Sequence, residues 1–224
     1  MHITVVAAIP ALLESSLAHS MMQRAQDRGL LHVDLVDLRD FGIGNYRRID
    51  DYQYGGGSGM VMMCEPLGNC IESLQKDRVF DEIIFLTPDG DRYDQSTANE
   101  LSLKTNLLLI AGHYKGIDER IREHYITREI SIGDYVLSGG ELPAAVIIDS
   151  LGRLLPGVLN DETSALSDSF QDGLLAPPVY TRPEEWNGLK VPDVLLSGHD
   201  AKIEAWRQEQ AEARTRDRRP DLLE

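Results

Sequence analysis

Several things are scarce in this 224-residue chain, and each scarcity narrows what the protein can be. Two cysteines, Cys64 and Cys70, are too few for a disulfide framework and make no zinc-binding pattern. His113, His124 and His199 stand at no metal-ligand spacing from them, so no metal ligands are assigned. The thiols read as reduced, in or near a core helix, as in a cytoplasmic protein. No apolar run approaches the ~20 residues of a membrane helix, which argues against a membrane protein. The stretch from Met1 to Pro10 has no basic segment ahead of its apolar residues and reads as a β-strand rather than a secretion signal.

Positive charge is scarce as well: 22 Lys and Arg face 37 Asp and Glu, a formal net charge of −15. A uniformly acidic surface would repel a phosphate backbone. Composition therefore leans against a nucleic-acid partner unless the cations are gathered locally. Between Ala213 and Pro220 four Arg stand against one Asp. The expectation is a basic face that carries Arg153 and the segment Arg214 to Arg219.

The common nucleotide motifs are missing too. Gly42-Ile-Gly-Asn-Tyr-Arg47 has only the first two glycines of a dinucleotide fingerprint and follows its strand through a polar loop. There is no phosphate-loop Gly-Lys-Ser/Thr element and no Gly-x-Ser-x-Gly nucleophile elbow.

What is present is an alternation of strand-like and helix-like runs. His2 to Ala7 is a short apolar strand, residues 11–28 have helical spacing with Gly29 placed to end the helix, and Leu31 to Val36 alternates as a strand. Glu82 to Leu86 and Asn106 to Ala111 are short and almost wholly apolar, as strands covered on both faces are. Ser96 to Leu103 between them predicts a helix with Ser96 as its cap. A further strand falls within Ile126 to Ile132 and a helix over 141–150. The pattern predicts an α/β domain with a mainly parallel sheet. After about residue 155, prolines and the Asp/Ser-rich stretch Asn160 to Ser169 read as a connector. A helical pattern from Asp200 to Arg214, with Ile203, Trp206 and Ala213 on one side, predicts a small helical second domain with Trp206 in its core.

Glycine-rich turns follow three of the strands: Thr87-Pro-Asp-Gly90, Gly112-His-Tyr-Lys-Gly116, and Gly133 with Leu137-Ser-Gly-Gly140. In open α/β sheets, ligands bind at the carboxyl ends of the strands. Glycine lets the backbone come close to a ligand. The residues alone thus point to one small-ligand pocket lined by backbone amides, or simply to three tight turns.

The chain resembles the bacterial tRNA (guanine-N1)-methyltransferases of the TrmD type, within the SPOUT class, over essentially its whole length. The motifs that carry the resemblance are Val36 to Asp40, Asp50 to Met60, Gly112 to Arg120, Ser131 to Pro143, Arg153 to Gly157, Asp168 to Phe170, Tyr180 to Pro183, Leu195 to Gly198 and the ending from Arg218 to Glu224. The resemblance implies a deep trefoil knot around residues 112–140, a feature too rare for any pattern to suggest. It divides the chain into a knotted α/β domain (1–159), a linker (160–172) and a small helical tRNA-binding domain (173–224).

The implied function is methyl transfer from S-adenosylmethionine to N1 of guanosine 37, next to the anticodon of tRNA. The implied donor site comprises Leu86, Thr87, Pro88 and Gly90; Gly112, Tyr114 and Gly116; and Ile132, Gly133, Asp134, Tyr135, Val136, Leu137, Gly139 and Gly140. Gly57, Ser58, Gly59 and Arg153 are implied in substrate binding. Asp168 takes the role of general base toward N1, and Arg153 that of the cation that stabilises charge on O6. The family is dimeric, with one subunit's donor pocket facing the connector of the other. Relatives are helped by magnesium, although no ligand cluster here is assigned to it. Lys115 departs from the acidic residue many relatives carry there, and Ser58 from a frequent proline. A ribose 2′-O-methyltransferase of the same class, a nicotinamide or nucleotide oxidoreductase, and a non-catalytic tRNA-binding module are the alternatives.

Overall fold

The computed structural model describes residues 1–158 and 168–223. Chain contacts divide it into two compact units, Met1–Asn160 and Asp161–Glu224, each taken by itself below. Most of the expected linker, 160–172, lies outside the described residues.

Unit 1 is built on a five-stranded sheet in the order β2-β1-β6-β5-β7, parallel throughout. Its strands are β1 (His2–Ala7), β2 (His32–Asp37), β5 (Glu82–Arg92), β6 (Asn106–Ala111) and β7 (Arg128–Ser131). Strand β6 shows why the apolar runs had to be strands covered twice. Leu107, Leu109 and Ala111 join one core with helices α1 (Ala11–Leu17), α2 (Ser20–Asp27), α4 (Gln95–Ser102) and α6 (Glu141–Gly152). Leu108 and Ile110, on the opposite face, join a second core with α3 (Cys64–Asp77) and α5 (Glu119–Tyr125). Cutting a fully buried leucine such as Leu109 to alanine would cost about 2–5 kcal/mol. Cys70 sits inside the second core, where burial pushes its thiol up to about 12.

Three local expectations need correction. The helix expected over 11–28 is two helices, because the chain breaks at Ala18 and His19; Gly29, at φ 68°, does end the second. The cap of α4 is Asp94 rather than Ser96, its carboxylate accepting from the Thr97 N–H at 2.8 Å. Strand β5 does not stop at Leu86. It pairs with β7 through Ile84–Leu86, swings out at Thr87–Gly90, and pairs again through Asp91 and Arg92. One strand pair was unforeseen: β3 (Asp50–Tyr52) and β4 (Met60–Met62) lie antiparallel around the Gly55–Gly59 loop. Three-residue strands carry too little pattern to be read from a sequence.

Unit 2 contains the hairpin β8 (Glu185–Trp186) and β9 (Leu189–Lys190), the short helix α7 (Asp193–Leu196) and the long helix α8 (Asp200–Arg218). The hairpin was not expected in a helical domain, although Asn187-Gly188 is a residue pair that accepts two positive φ angles, here 52° and 80°. Along α8 the covered side is Ile203, Trp206, Ala211, Arg214 and Thr215, while Ala213 is exposed. A 3.6-residue period runs from Ile203 onto Arg214, one position past the expected Ala213. Trp206, expected in the core, is half-buried and tilts against Tyr180 with ring centres 6.4 Å apart.

Candidate active site

In unit 1 the structure brings together the turns that follow β6 and β7. The Gly140 N–H donates to the Gly112 carbonyl at 2.7 Å, and His113 pairs with Gly139 in an antiparallel bridge. This crossing is close enough to demand glycine. A Cβ on Gly140 would stand 2.7 Å from Ala111 Cα and from Gly112 N. The turn after β6 is held from the other side by β4: Lys115 N–H donates to Met60 O, and Met62 N–H to Gly116 O, each at 3.0 Å.

Around that crossing the expected donor-site residues fall into three groups. Leu86 and Thr87 are buried, Pro88 is exposed, and Gly90 lies so near β7 that a Cβ would meet Ile130 N at 2.6 Å. Thr87 Oγ1 donates to Asp89, which also pairs with Arg122 at 2.8 Å. The Thr87 hydroxyl, followed by the Arg122 guanidinium, holds the Asp89 carboxyl below its usual range. Gly112 and Gly116 flank Tyr114, an exposed tyrosine at φ 60°. In the third group, Gly133 is fixed by its N–H to Ser131 Oγ at 3.3 Å, and Tyr135 by its N–H to Gly133 O at 2.9 Å. Ile132 is half-buried, whereas Asp134, Tyr135, Val136 and Leu137 are exposed, which leaves their side chains open to a ligand.

The expected substrate loop is adjacent. Gly57 and Gly59 have φ values of 115° and 95°, and a Cβ on Gly59 would meet Lys115 Cγ at 2.9 Å. The Lys115 stem thus packs against the loop that contains Ser58. Tyr52 and Tyr54 stand 79% and 99% exposed beside that loop, a pair of aromatics given no role in the sequence.

Arg153 and Asp168 belong to different units. Arg153 caps the carboxyl end of α6, its N–H donating to Asp149 O at 3.2 Å. Asp168 lies on the wall of an open cleft of about 1090 Å³ in unit 2, with Tyr180, Arg182 and Arg207. The cations of α8 are interleaved with acids, as in the Arg207–Glu204 pair at 3.7 Å, and Arg219 pairs with Asp221 at 2.6 Å. Among the described residues, no group of three His, Cys, Asp or Glu side chains is placed to hold a metal ion, and no helix is long and apolar enough to cross a membrane.

Comparison with known proteins decides the family. The family model described as tRNA (Guanine-1)-methyltransferase TrmD matches residues 1–224. A tRNA (guanine-N(1)-)-methyltransferase of Porphyromonas gingivalis is 59% identical over 223 residues, covering 100% of this chain and 99% of its own. One of Bacteroides fragilis is 57% identical over 224 residues, 100% of each chain. The chain belongs to the TrmD family.

For a TrmD family chain, two side chains at the crossing went unnoticed in the sequence, His113 and Glu141. Glu141, the first residue of α6, is 1% exposed, and both its oxygens lie within 2.9 Å of His113 Nε2. The two residues are 28 apart, and no motif or spacing rule ties them. Only the acid in the first turn of a predicted helix was a signal.

Proposed function

We propose that this protein transfers a methyl group from S-adenosylmethionine to N1 of guanosine 37 in tRNA, giving 1-methylguanosine. The observation that carries the reading is the full-length match to the TrmD family in a chain that keeps Asp168 and Arg153.

The turns at the sheet's carboxyl end fit the donor. Its adenine is neutral and flat, and it calls for backbone donors and acceptors between apolar walls. Backbone of 112–116 and 132–140 supplies the first, and Leu86, Val136 and Leu137 the second. Glycine at 112, 139 and 140 keeps the backbone bare where a Cβ would collide with neighbouring atoms. When bound, S-adenosylmethionine supplies an electrophilic methyl group. The chain's own part is to prepare the guanine. Asp168 accepts the N1 proton, which frees a lone pair on that nitrogen. The charge that then builds on O6 is met by the Arg153 guanidinium, a donor fixed before the reaction begins. Gly57, Ser58 and Gly59 approach the nucleotide by backbone, with Tyr52 and Tyr54 as stacking surfaces nearby.

From the likeness to the family, we read the site as shared within a homodimer. Exposed apolar side chains on and next to two touching helices, Ile9 and Leu12 at α1 and Leu142 and Val146 on α6, offer a face for a second copy. We further read the crossing of 112–116 with 138–140 as part of a trefoil knot, 160–172 as a linker, 173–224 as the tRNA-binding domain, and the cytoplasm as the place of action. Magnesium would assist through water and phosphate rather than through a dedicated cluster.

The test is direct. The protein is incubated with labelled S-adenosylmethionine and unmodified tRNA, and the RNA is digested to nucleosides. Labelled 1-methylguanosine is the expected product. A labelled 2′-O-methylnucleoside, or no incorporation, overturns the proposal.

A further inference from the structure

The His113–Glu141 pair is a buried polar contact at the crossing that the mechanism above leaves without a task. A carboxylate removed from water costs several kcal/mol unless it is compensated. Glu141 is compensated from three directions. The Ile9 N–H donates to Oε1 at 3.1 Å, His113 Nε2 reaches both oxygens at 2.9 and 2.8 Å, and the amino end of α6 lends its dipole. One carboxylate therefore ties the end of β1, the turn after β6 and the start of α6 to one another. Gly139 is the fourth element, since a Cβ there would stand 2.4 Å from His113 Nε2 and 2.5 Å from Glu141 Oε2.

Such a pair is poor at adding stability, because an apolar replacement of equal volume commonly does as well. What it does well is fix register. The backbone already holds the crossing through Gly140 N–H to Gly112 O. The His113–Gly139 bridge and the bonds of Lys115 and Gly116 to β4 hold the backbone on either side of it. The imidazole adds a directional side-chain attachment one residue past Gly112, directly before Tyr114, whose strained φ of 60° points the chain into Lys115 and Gly116. Gly116 N–H in turn donates to His113 O at 3.0 Å, so the fixed residue anchors both ends of the turn.

We infer that His113 and Glu141 are positioning residues for the methyl donor: their contact sets the Gly112–Gly116 turn against Ser138–Gly140, and donor affinity depends on it. Neither residue touches the reacting atoms. The inference rests on reading these turns as the donor pocket, and the experiment keeps the two apart. Calorimetry with S-adenosylhomocysteine, a non-reacting probe, is run on the unaltered protein and on His113→Ala, His113→Gln and Glu141→Gln. Amide exchange is followed in 112–116 and in β6 of the same samples.

The alanine variant should bind the probe roughly 10–100-fold more weakly, the range expected when a buried carboxylate loses its partner. Glutamine at 113 still donates to Glu141, so it should recover most of the affinity. Glu141→Gln keeps the acceptors without the charge and should fall in between. Exchange should quicken in 112–116 while β6 stays protected. Unchanged probe affinity in His113→Ala overturns the inference, and so does a loss matched by equal deprotection of β6, which marks a merely structural role. If the unaltered protein fails to bind the probe, the donor-pocket reading falls first and this one with it.

Discussion

The two units handle their polar groups in opposite ways. Unit 1 encloses two apolar cores and keeps a buried acid, Glu141, with a partner for each oxygen. In the described part of unit 2, only Ala211 and Thr215 are buried, and the 19-residue helix α8 is solvated along most of its length. The proposed donor pocket is made of backbone and needs walls that do not give, and a twice-covered parallel sheet supplies them. The proposed base, Asp168, is half-buried on the wall of an open cleft, where a bulky RNA has room to meet it. The proposed division of labour matches the division of burial.

Four experiments would break or sharpen that comparison. The largest effect is expected at Asp168. Asparagine there removes the proton acceptor and should lower methyl transfer by roughly 10²–10⁴-fold, while S-adenosylhomocysteine binds as before in a calorimeter. Parallel losses of both would place Asp168 in the donor pocket and undo the separation. Next, hydrogen exchange followed by mass spectrometry should find the α8 amides opening about a hundredfold more readily than those of β6, as a thinly covered helix does beside a core strand. Equal protection would give unit 2 a core of its own.

Third comes Gly140→Ala, whose new Cβ has only backbone to press on. It should destabilise unit 1 by about 1–3 kcal/mol in denaturant unfolding. Gly173→Ala in unit 2, strained at φ 78° but facing open space, should cost about 1 kcal/mol. The smallest effect concerns acid. Asp94 accepts the Thr97 N–H, and that hydrogen bond lowers its pKa beneath the ordinary 3.8. A carboxyl depressed by folding contributes its share fully above the unfolded value and loses it as the pH falls through the folded one. Asp94→Asn should therefore flatten the stability of unit 1 against pH below about 4, with no change in slope near neutrality. A change near pH 7 would mean that a different group is responsible.

How much of this could be read in advance varied with the length of the signal. Strand β6 was legible to the residue, because five apolar positions following Asn106 and ending at Gly112 admit few other readings. The Thr87–Gly90 excursion within β5 was read as an end, since proline and glycine punctuate turns and bulges alike. The break at Ala18 and His19 left no mark that helical spacing could register. In the site, the glycine turns were visible as turns, but their meeting was not: Gly112 and Gly140 touch only because the sheet places β7 two strands from β6. His113 and Glu141 escaped for the same reason. Asp168 and Arg153 were named through resemblance alone, and local chemistry would have left both as surface charges.

The place of β1 between β2 and β6 has a consequence for synthesis. His2 pairs with His32 on one side and with Asn106 on the other. A ribosome adding roughly 5–20 residues per second would finish β6 some seconds after the first pairing could form. Through that interval Ile3, Val5 and Val6 offer an unfinished strand edge to any neighbouring chain. The same interior place that protects β1 in the finished sheet makes it the strand that must be shielded longest while the molecule is being made.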